Sequence, residues 1–311
     1  MILWVVGAGG LFGSAVVRAA QTRGWTVFPG SAIPWSDPEN AVRVVREDAQ
    51  RFSRAMEPGQ RWAIVWAAGR ATTASTPEEA DIELSVFTRC LSTIKDQLGS
   101  HKHGTFLLAS SAGGVYAGSS NPPFDSHTLP HPTGVYGHLK RRQEIEAEQI
   151  LEETMNVVIA RIANLYGPGQ DLSKLQGLIS RLALSAITKQ TLAMFVPLDT
   201  LRDYIHVDDA AHFALHWMNE STAVCQVRVI ATGNSTSLGY IISQMKDITR
   251  TQIPVAYGLH PSAAVQAHDL RLIPDYQIPP LPVPATPLPA GMKAVFDDIL
   301  FRHQEAAALT N

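Results

Sequence analysis

The chain has 311 residues, of which 45% are hydrophobic and 17% charged, a composition typical of a globular protein that buries a large core. Its net charge of −3 gives no electrostatic basis for nucleic acid or an anionic membrane as the main partner. No apolar run approaches the ~20 residues of a membrane-spanning helix, and the apolar start at Met1–Val6 has no basic flank, so we expect a cytoplasmic protein. The two cysteines, Cys90 and Cys225, are expected to be buried thiols.

Short apolar strands alternate with longer helices over the first half of the chain. The predicted strands are Ile2–Val6, Trp25–Phe28, Arg61–Ala68, Thr105–Ala109 and Asn156–Ile162. The predicted helices are Leu11–Arg23, Asp37–Met56, Pro77–Leu98 and Val135–Glu153. This alternation is typical of βαβ units, and it predicts an α/β fold with a Rossmann-type doubly wound parallel sheet.

The pattern changes after Asn164. A helix is predicted for Leu175–Ile187, and a second helix with an apolar face for Met292–Phe301. Residues 274–289 are rich in proline and cannot form a regular helix or sheet. We expect this stretch to be an ordered segment that wraps around a second, smaller part of the protein.

A glycine-rich turn joins the first predicted strand to the first predicted helix. In this setting Gly7 makes the tight turn, Gly10 lets the backbone approach a pyrophosphate, and Gly13 allows the helix to pack closely on the sheet. The start of the helix, at Leu11 and Phe12, presents free N–H groups and a partial positive charge to phosphates. The turn therefore predicts a binding site for a nicotinamide dinucleotide.

The end of the second strand lacks the acidic residue that usually binds the adenine ribose 2′-hydroxyl. Phe28–Ser31 stands there instead, and Ser31 is the residue we expect beside the ribose. Without a carboxylate there is less repulsion against a 2′-phosphate. The cofactor is therefore NAD or NADP, with a slight preference for NADP, although no arginine follows directly to bind the extra phosphate.

Three residues form a candidate catalytic group. Tyr136 and Lys140 are four positions apart, which places them on one face of a helix. A lysine cation favours the phenolate form of a neighbouring tyrosine, which can then act as a general acid or base. Ser111 follows the fourth strand, where the ligand crevice of an open α/β sheet lies. Its hydroxyl could hydrogen-bond to the reacting oxygen, so the group predicts proton transfer coupled to hydride transfer.

Together with four further motifs, these residues resemble the extended short-chain dehydrogenase/reductase family, in its NAD-dependent epimerase/dehydratase group. The motifs are Ala67–Gly69, Ser110–Tyr116, Arg161–Gly169 and Arg202–Asp209. The resemblance covers nearly the whole chain. We therefore expect a dinucleotide-binding domain at residues 1–164, rejoined by 204–237, and a smaller α/β substrate-binding domain at residues 165–203 and 238–311.

The resemblance also implies roles for individual residues. Tyr136 would be the general acid/base, Lys140 would bind the nicotinamide ribose and tune Tyr136, and Ser111 would polarise the substrate oxygen. Spacing from Tyr116 would put the polarising hydroxyl at Ala112 instead, so a neighbour of Ser111 stays open for this role. The other implied contacts are Ala67, Ala68, Gly69, Ser110, Ile162 and Ala163 for the cofactor, and Asn164 and Arg202 for the diphosphate of a nucleotide-sugar.

Departures from the family's motifs narrow the reaction. Gly113 and Gly114 stand where hexose dehydratases carry an Asp-Glu pair, and Gly114 and Gly169 replace the Cys and His of bifunctional epimerase-reductases. What remains is hydride transfer at a carbinol or ketone carbon by Ser, Tyr and Lys, as in a sugar epimerase or a ketoreductase. Arg202 and Asn164 favour a nucleotide-sugar or a related polar metabolite as the substrate.

Two alternatives stay open. The family's second diphosphate-binding arginine has its nearest match in Gln266–Asp269, where no arginine stands, so the chain could be an NADP-linked reductase of a ketone without a nucleotide. Some family members have lost catalysis and serve as cofactor-sensing proteins. Those typically lose the tyrosine or the lysine, whereas this chain keeps Tyr136 and Lys140.

Several histidines need no metal to explain them. His206 is followed by Asp208 and Asp209, but a turn and a helix start explain this group better than a metal site, and we expect no metal. His101 and His103 are interpreted as solvated loop residues, because two histidines do not make a ligand set.

We expect the protein to assemble as a homodimer. The apolar positions of Ile82–Leu98 and of the Val135–Glu153 helix could pack across a two-fold axis, in a four-helix interface that is common in the family. The remaining partner is a small-molecule substrate.

Overall fold

The computed structural model describes residues 1–101, 104–173, 176–220, 224–258, 266–275 and 285–309. Its strands are β1 (Ile2–Val6), β2 (Thr26–Phe28), β3 (Trp62–Trp66), β4 (Gly104–Ser111), β5 (Asn156–Ile162), β6 (Asn164–Tyr166), β7 (Leu192–Met194), β8 (Leu201–His206), β9 (Cys225–Ile230), β10 (Ser235–Ser237), β11 (Val255–Tyr257) and β12 (Asp269–Leu270). Its helices are α1 (Leu11–Thr22), α2 (Pro38–Ala55), α3 (Pro77–Leu98), α4 (Ala112–Val115), α5 (Val135–Leu151), α6 (Leu178–Thr188), α7 (Val207–Glu220), α8 (Leu238–Thr249) and α9 (Leu288–Leu309). His103, Leu175 and much of the proline-rich stretch lie outside the described residues.

The larger sheet confirms the predicted α/β fold. It contains six parallel strands in the order β2-β1-β3-β4-β5-β9. Every residue of β1 and β3 is buried, because helices cover both faces of a parallel sheet. The carboxyl ends of β1, β3, β4 and β5 therefore meet at one edge, where such sheets bind their ligands.

Each face of this sheet has its own hydrophobic core, because side chains alternate along a strand. Leu3 and Val5 pack with α1 and α7 on one face. Trp4 packs with α2, α3 and α5 on the other, in an aromatic cluster with Phe28 and Phe52. The ring centroids of these three residues lie 5.2 to 6.0 Å apart, and such contacts hold α2 against the end of β2.

A smaller sheet lies beside the first and was not predicted in detail. In this sheet β8 pairs with β6 and β12 in parallel and with β10 in antiparallel orientation, and β7 and β11 form a separate parallel pair. Helices α6, α8 and α9 pack around it through residues such as Leu182, Ile241 and Met292. α9 extends beyond the predicted Met292–Phe301 at both ends. The domain boundaries proposed from the sequence remain a prediction.

Helices α3 and α5 pack against each other on one face of the larger sheet. Their outward sides carry charged contacts such as Arg142–Asp81, at 2.7 Å, and one largely exposed aliphatic side chain, Ile82. Pairing with a second copy would bury this surface. The homodimer remains a prediction.

Both cysteines are free thiols; Cys90 is buried, as expected, whereas Cys225 is only partly buried. Cys90 is fully buried, and burial raises the pKa of Cys90 and of Cys225 to about 12, so both are protonated at neutral pH. Within the described part of the chain, no helix combines the length and the apolar character needed to cross a membrane.

Candidate active site

The glycine-rich turn lies at the carboxyl end of β1 and packs against the end of β3. Gly7 has a φ of +90°, and a Cβ there would lie 2.8 Å from the backbone nitrogen of Ala68, so both conformation and space require glycine. A Cβ at Gly13 would lie 2.1 Å from the carbonyl oxygen of Gly7. Gly10 is the N-cap of α1, and no described side chain caps this helix. The first-turn N–H groups therefore remain available to an anion.

The end of β2 carries two charged groups that reach it from α2. The carboxylate of Asp48 is buried and accepts hydrogen bonds from the Ser31 backbone N–H, at 2.6 Å, and from the Ser31 hydroxyl, at 3.1 Å. The guanidinium of Arg51 donates to the same carboxylate and lies 5.2 Å from the ring centroid of Phe28. It also lies 3.4 Å from the Ser31 hydroxyl. α2 thus brings both an arginine and a carboxylate to the end of β2, although neither follows this strand in the sequence.

The predicted cofactor residues of β3 and β5 lie along the same edge of the sheet. The Ala67 N–H donates to the carbonyl oxygen of Val6, at 2.9 Å, which joins the ends of β3 and β1. Ala68 and Gly69 continue from this point. At the end of β5, Ile162 and Ala163 are buried. Ala163 also donates its N–H across to β9, which keeps this segment in line with the sheet.

The three candidate catalytic residues lie close together. The Nζ atom of Lys140 is 5.8 Å from the ring centroid of Tyr136, and Lys140 is buried while Tyr136 is half-buried. A Cβ at Gly114 would lie 3.3 Å from ring carbons of Tyr136, and the Gly114 N–H donates to the Ser111 hydroxyl oxygen at 3.1 Å. Ser111 is therefore linked to Tyr136 through the backbone of α4. Ala112 is fully buried and has no hydroxyl, so the geometry favours Ser111.

A buried carboxylate, Glu144, lies behind this group on α5. Its Oε1 atom accepts from the Ser110 hydroxyl at 2.6 Å and from Nε of Arg161 at 3.0 Å. Its Oε2 atom accepts from Nη2 of Arg161 at 2.7 Å and from Arg141 at 3.0 Å. Arg161 also donates to the hydroxyl of Tyr116, at 2.8 Å. The network attaches α5 to β4, to β5 and to Tyr116, the residue that follows α4.

This network changes the interpretation of Ser110. The cofactor contact that the sequence predicts from this residue stays a prediction; the residue is 5% exposed, and its hydroxyl donates to Glu144. Its hydroxyl proton is therefore directed into the core, whereas Ser111 is only partly buried. The two neighbouring serines have different surroundings because successive side chains of a strand point to opposite faces.

Asn164 and Arg202 lie on the paired strands β6 and β8. Asn164 hydrogen-bonds to the hydroxyl of Tyr204, and burial raises the pKa of that phenol to about 12. Arg202 is 7% exposed, and burial lowers its pKa. Its described hydrogen bonds go to the backbone carbonyls of Leu201, at 2.8 Å, and of His268, at 3.5 Å. A buried guanidinium bonded to carbonyls retains N–H donors for an anion.

Gly113 connects the two groups of candidate residues. A Cβ at Gly113 would lie 3.8 Å from Oδ1 of Asn164 and 3.7 Å from the Leu270 side chain. Leu270 in turn is the strand partner of Arg202. Because Gly113 is two residues after Ser111, the segment that follows Ser111 lies beside Asn164 and beside the strand partner of Arg202.

Gln266–Asp269, the nearest match to the family's second diphosphate-binding arginine, has no arginine. Gln266 is exposed there, and His268 pairs with Asp199 at 3.1 Å. Arg271 lies two residues beyond the segment, and its guanidinium is 2.9 Å from the carboxylate of Asp269. The diphosphate contacts that the sequence predicts therefore rest on Asn164 and Arg202.

His206, Asp208 and Asp209 form the junction of β8 and α7. Asp208 pairs with Arg18 at 2.6 Å and lies 3.8 Å from His206, while Asp209 accepts the backbone N–H of Thr286 at 2.8 Å. Among the residues that the structure describes, no group of three or more His, Cys, Asp or Glu side chains is placed to bind a metal.

The Glu144 network yields a prediction about stability. Glu144→Gln leaves the buried Arg161 guanidinium without its carboxylate, and we expect the free energy of unfolding to fall by roughly 3 kcal/mol, because an uncompensated charge stays in the core. Urea denaturation measures this change. Glu153→Gln, at an exposed position just beyond the same helix, is the matched control. Equal stability of the two variants would contradict the role of the network.

Comparisons with known proteins agree with this architecture. A dTDP-L-rhamnose 4-epimerase from Burkholderia thailandensis is 28% identical over 120 residues, which is 38% of this chain and 33% of that protein. The chain thus spans about a third of the length of this curated relative. The structure of a UDP-glucose 4-epimerase from Thermus thermophilus, in complex with NAD, has a TM-score of 0.76 at 17% identity, covering 96% of this chain and 99% of that one.

A second solved structure, RMD from Pseudomonas aeruginosa complexed with NADPH, has a TM-score of 0.76 at 21% identity, covering 97% of this chain and 99% of that one. At such identities both likenesses concern the fold. The family itself follows from the sequence, since the model of the NAD dependent epimerase/dehydratase family matches residues 3–231, well over half of the chain. The chain belongs to the NAD-dependent epimerase/dehydratase family.

Proposed function

We propose that this protein catalyses reversible, NAD(P)-linked hydride transfer at a carbinol or ketone carbon of a nucleotide-sugar or a related polar metabolite. The observation that carries the proposal is the meeting of Tyr136, Lys140 and Ser111 at the sheet edge that also holds the glycine-rich turn. Ligands of open α/β sheets bind at this edge. The names of the relatives, two of them 4-epimerases of nucleotide-sugars, support the same class of substrate.

The turn and the helix that follows fit the cofactor. Gly7 and Gly13 permit a close approach of backbone segments, and the uncapped N-terminus of α1 offers N–H groups and a partial positive charge to a pyrophosphate. When bound, the nicotinamide ring supplies a carbon that accepts hydride and later returns it. Lys140 would hold the nicotinamide ribose, and its charge would favour the phenolate of Tyr136.

Proton transfer then belongs to the chain's own side chains. The Ser111 hydroxyl donates a hydrogen bond to the substrate oxygen. The phenolate of Tyr136 takes the proton from that oxygen as the adjacent carbon loses hydride, which leaves a ketone. In the reverse direction Tyr136 returns the proton as the carbon regains hydride. An epimerase would perform both halves on one substrate, and a reductase only the second half.

The end of β2 supports NADP over NAD. The guanidinium of Arg51 lies beside Ser31 and stacks on Phe28, in a position to bind a 2′-phosphate. The nearby carboxylate of Asp48 already accepts two hydrogen bonds from Ser31 and one from Arg51, so it has less capacity left for a ribose hydroxyl. We therefore favour NADP.

Arg202 and Asn164 support a diphosphate-bearing substrate. The missing arginine at Gln266 specifically favours a second candidate function, an NADP-linked reductase of a ketone without a nucleotide. The two candidates share the Ser111, Tyr136 and Lys140 chemistry. They differ in whether the buried Arg202 guanidinium binds substrate phosphate.

Tyr136→Phe tests the general acid/base. Removing the hydroxyl should lower kcat by at least ~100-fold, the scale of general acid/base catalysis, while the dissociation constant of the cofactor changes little. Tyr240→Phe, at an exposed position on α8, is the matched control and should leave both quantities unchanged. If Tyr136→Phe retains turnover within a few-fold of wild type, Tyr136 does not have this role.

Arg51→Gln tests the choice of cofactor. Loss of a charge-assisted contact to a 2′-phosphate should weaken NADPH binding by roughly 10- to 100-fold and leave NADH binding nearly unchanged. Fluorescence titration with each dinucleotide measures both constants, and Arg54→Gln, at an exposed position near the end of α2, is the control. A wild-type chain that binds NADH more tightly than NADPH would reverse the preference for NADP.

Arg202→Ala tests the nucleotide in the substrate. By calorimetry with UDP as the probe, the substitution should weaken binding roughly 10- to 100-fold, because a buried guanidinium bonds phosphate oxygens strongly. NADPH affinity should stay the same, which controls for an intact fold. Failure of the wild-type protein to bind UDP would favour the reductase of a ketone without a nucleotide.

A further inference from the structure

Two buried polar side chains behind Lys140 have no part in the mechanism above. Gln143, on α5, is 0% exposed, and Glu83, on α3, is 3% exposed. Burying an amide and a carboxylate is unfavourable unless both are hydrogen-bonded. Their hydrogen bonds therefore indicate what these residues do.

The two residues form a chain of hydrogen bonds that starts at the catalytic lysine. Nζ of Lys140 donates to Oε1 of Gln143 at 3.0 Å, and Nε2 of Gln143 donates to Oε1 of Glu83 at 3.3 Å. The other carboxylate oxygen of Glu83, Oε2, accepts the backbone N–H groups of Arg70, at 2.6 Å, and Ala71, at 2.8 Å. The chain therefore joins Lys140 to the loop that follows β3.

The order of donors and acceptors fixes the amide. A side-chain amide can present either its oxygen or its NH2 group to a neighbour, whereas an ionised carboxylate only accepts. Glu83 therefore takes the NH2 end of Gln143 and turns the amide oxygen toward the ammonium of Lys140. Without Glu83, the amide of Gln143 could rotate and present its NH2 group to the Lys140 ammonium, which can only donate hydrogen bonds.

Gly69 makes room for this chain. A Cβ at Gly69 would lie 2.9 Å from Oε1 of Glu83, closer than a side chain tolerates. The segment that the sequence predicts beside the cofactor ribose is thus in direct contact with the carboxylate. The sequence predicts that Lys140 and Gly69 both contact the cofactor ribose. The positions of both residues would then depend on the same two buried side chains, Glu83 and Gln143.

We propose that Gln143 and Glu83 are positioning residues. They orient the Lys140 ammonium and fix its position relative to the cofactor-binding loop at residues 69–71. This inference rests on the proposed function, because it assigns Lys140 to the cofactor ribose and to Tyr136. Neither residue touches the reacting atoms; they act through Lys140.

The test combines three variants with two measurements. Gln143→Met removes both hydrogen bonds at similar volume. Gln143→Glu places two carboxylates side by side. The double variant Glu83→Gln/Gln143→Glu exchanges amide and carboxylate, and it restores every donor–acceptor pair of the chain. The measurements are the NADPH dissociation constant, by fluorescence titration, and the pH profile of kcat for alcohol oxidation, the direction in which Tyr136 must start as the phenolate.

We expect Gln143→Met and Gln143→Glu each to weaken NADPH binding about 10-fold and to move the acidic limb of the pH profile to higher pH, since a displaced ammonium favours the Tyr136 phenolate less. The double variant should return both quantities to within about threefold of wild type, as coupled neighbours do. Gln149→Met, at an exposed position on α5, should change neither. A purely structural role would lower stability without moving the pH profile.

Two results would overturn the inference: a Gln143→Met variant that matches wild type, or a double variant no better than Gln143→Glu. Lys140→Met separates this failure from failure of the proposed function. If Lys140→Met changes cofactor affinity and the pH profile but Gln143→Met does not, only the positioning role is wrong. If Lys140→Met changes neither, the role of Lys140 and the inference built on it fall together.

Discussion

The ion pair between Glu144 and Arg161 is the interaction on which the arrangement of the site depends. It joins α5 to β5, and through Ser110 it joins the same helix to β4. Tyr136 and Lys140 therefore have a fixed position relative to Ser111, which ends β4. Both charges are buried, so removing either partner leaves an uncompensated charge in the core, and the helix has little freedom to shift on the sheet.

A second constraint is steric and concerns the glycines. Gly7 and Gly13 bring the end of β1, the start of α1 and the end of β3 closer than any side chain would allow. Gly137 does the same between α4 and α5, since a Cβ there would lie 2.3 Å from the carbonyl oxygen of Gly114. Gly114, which stands where a dehydratase carries an acidic residue, thus has a packing role, since a Cβ there would lie 3.3 Å from ring carbons of Tyr136. A Cβ at Gly113 would make only ordinary contacts.

Much of this could be predicted from local pattern. The strand Ile2–Val6, the turn after it and the Tyr136–Lys140 spacing are short-range signals, and the sheet of the first half of the chain follows from them. The contacts of Asp48 and Arg51 with Ser31 could not be predicted. Asp48 is 17 and Arg51 is 20 positions from Ser31, and they meet it only when α2 packs on β2. Glu83 and Gln143 are 60 positions apart, and each alone looks like a surface residue of a helix. The strands β6, β10 and β12 have three residues or fewer, too few for a periodicity, and each forms by pairing with β8.

The most direct test of the central claim, that this chain holds a nicotinamide dinucleotide for hydride transfer, is to denature the purified protein, identify and count the nicotinamide released, and titrate the emptied chain with NADPH and NADH. We expect either a stoichiometric, retained cofactor, as an epimerase needs, or an empty chain that takes up NADPH more tightly than NADH, as a reductase needs. A chain that releases no nicotinamide and binds neither dinucleotide would contradict it.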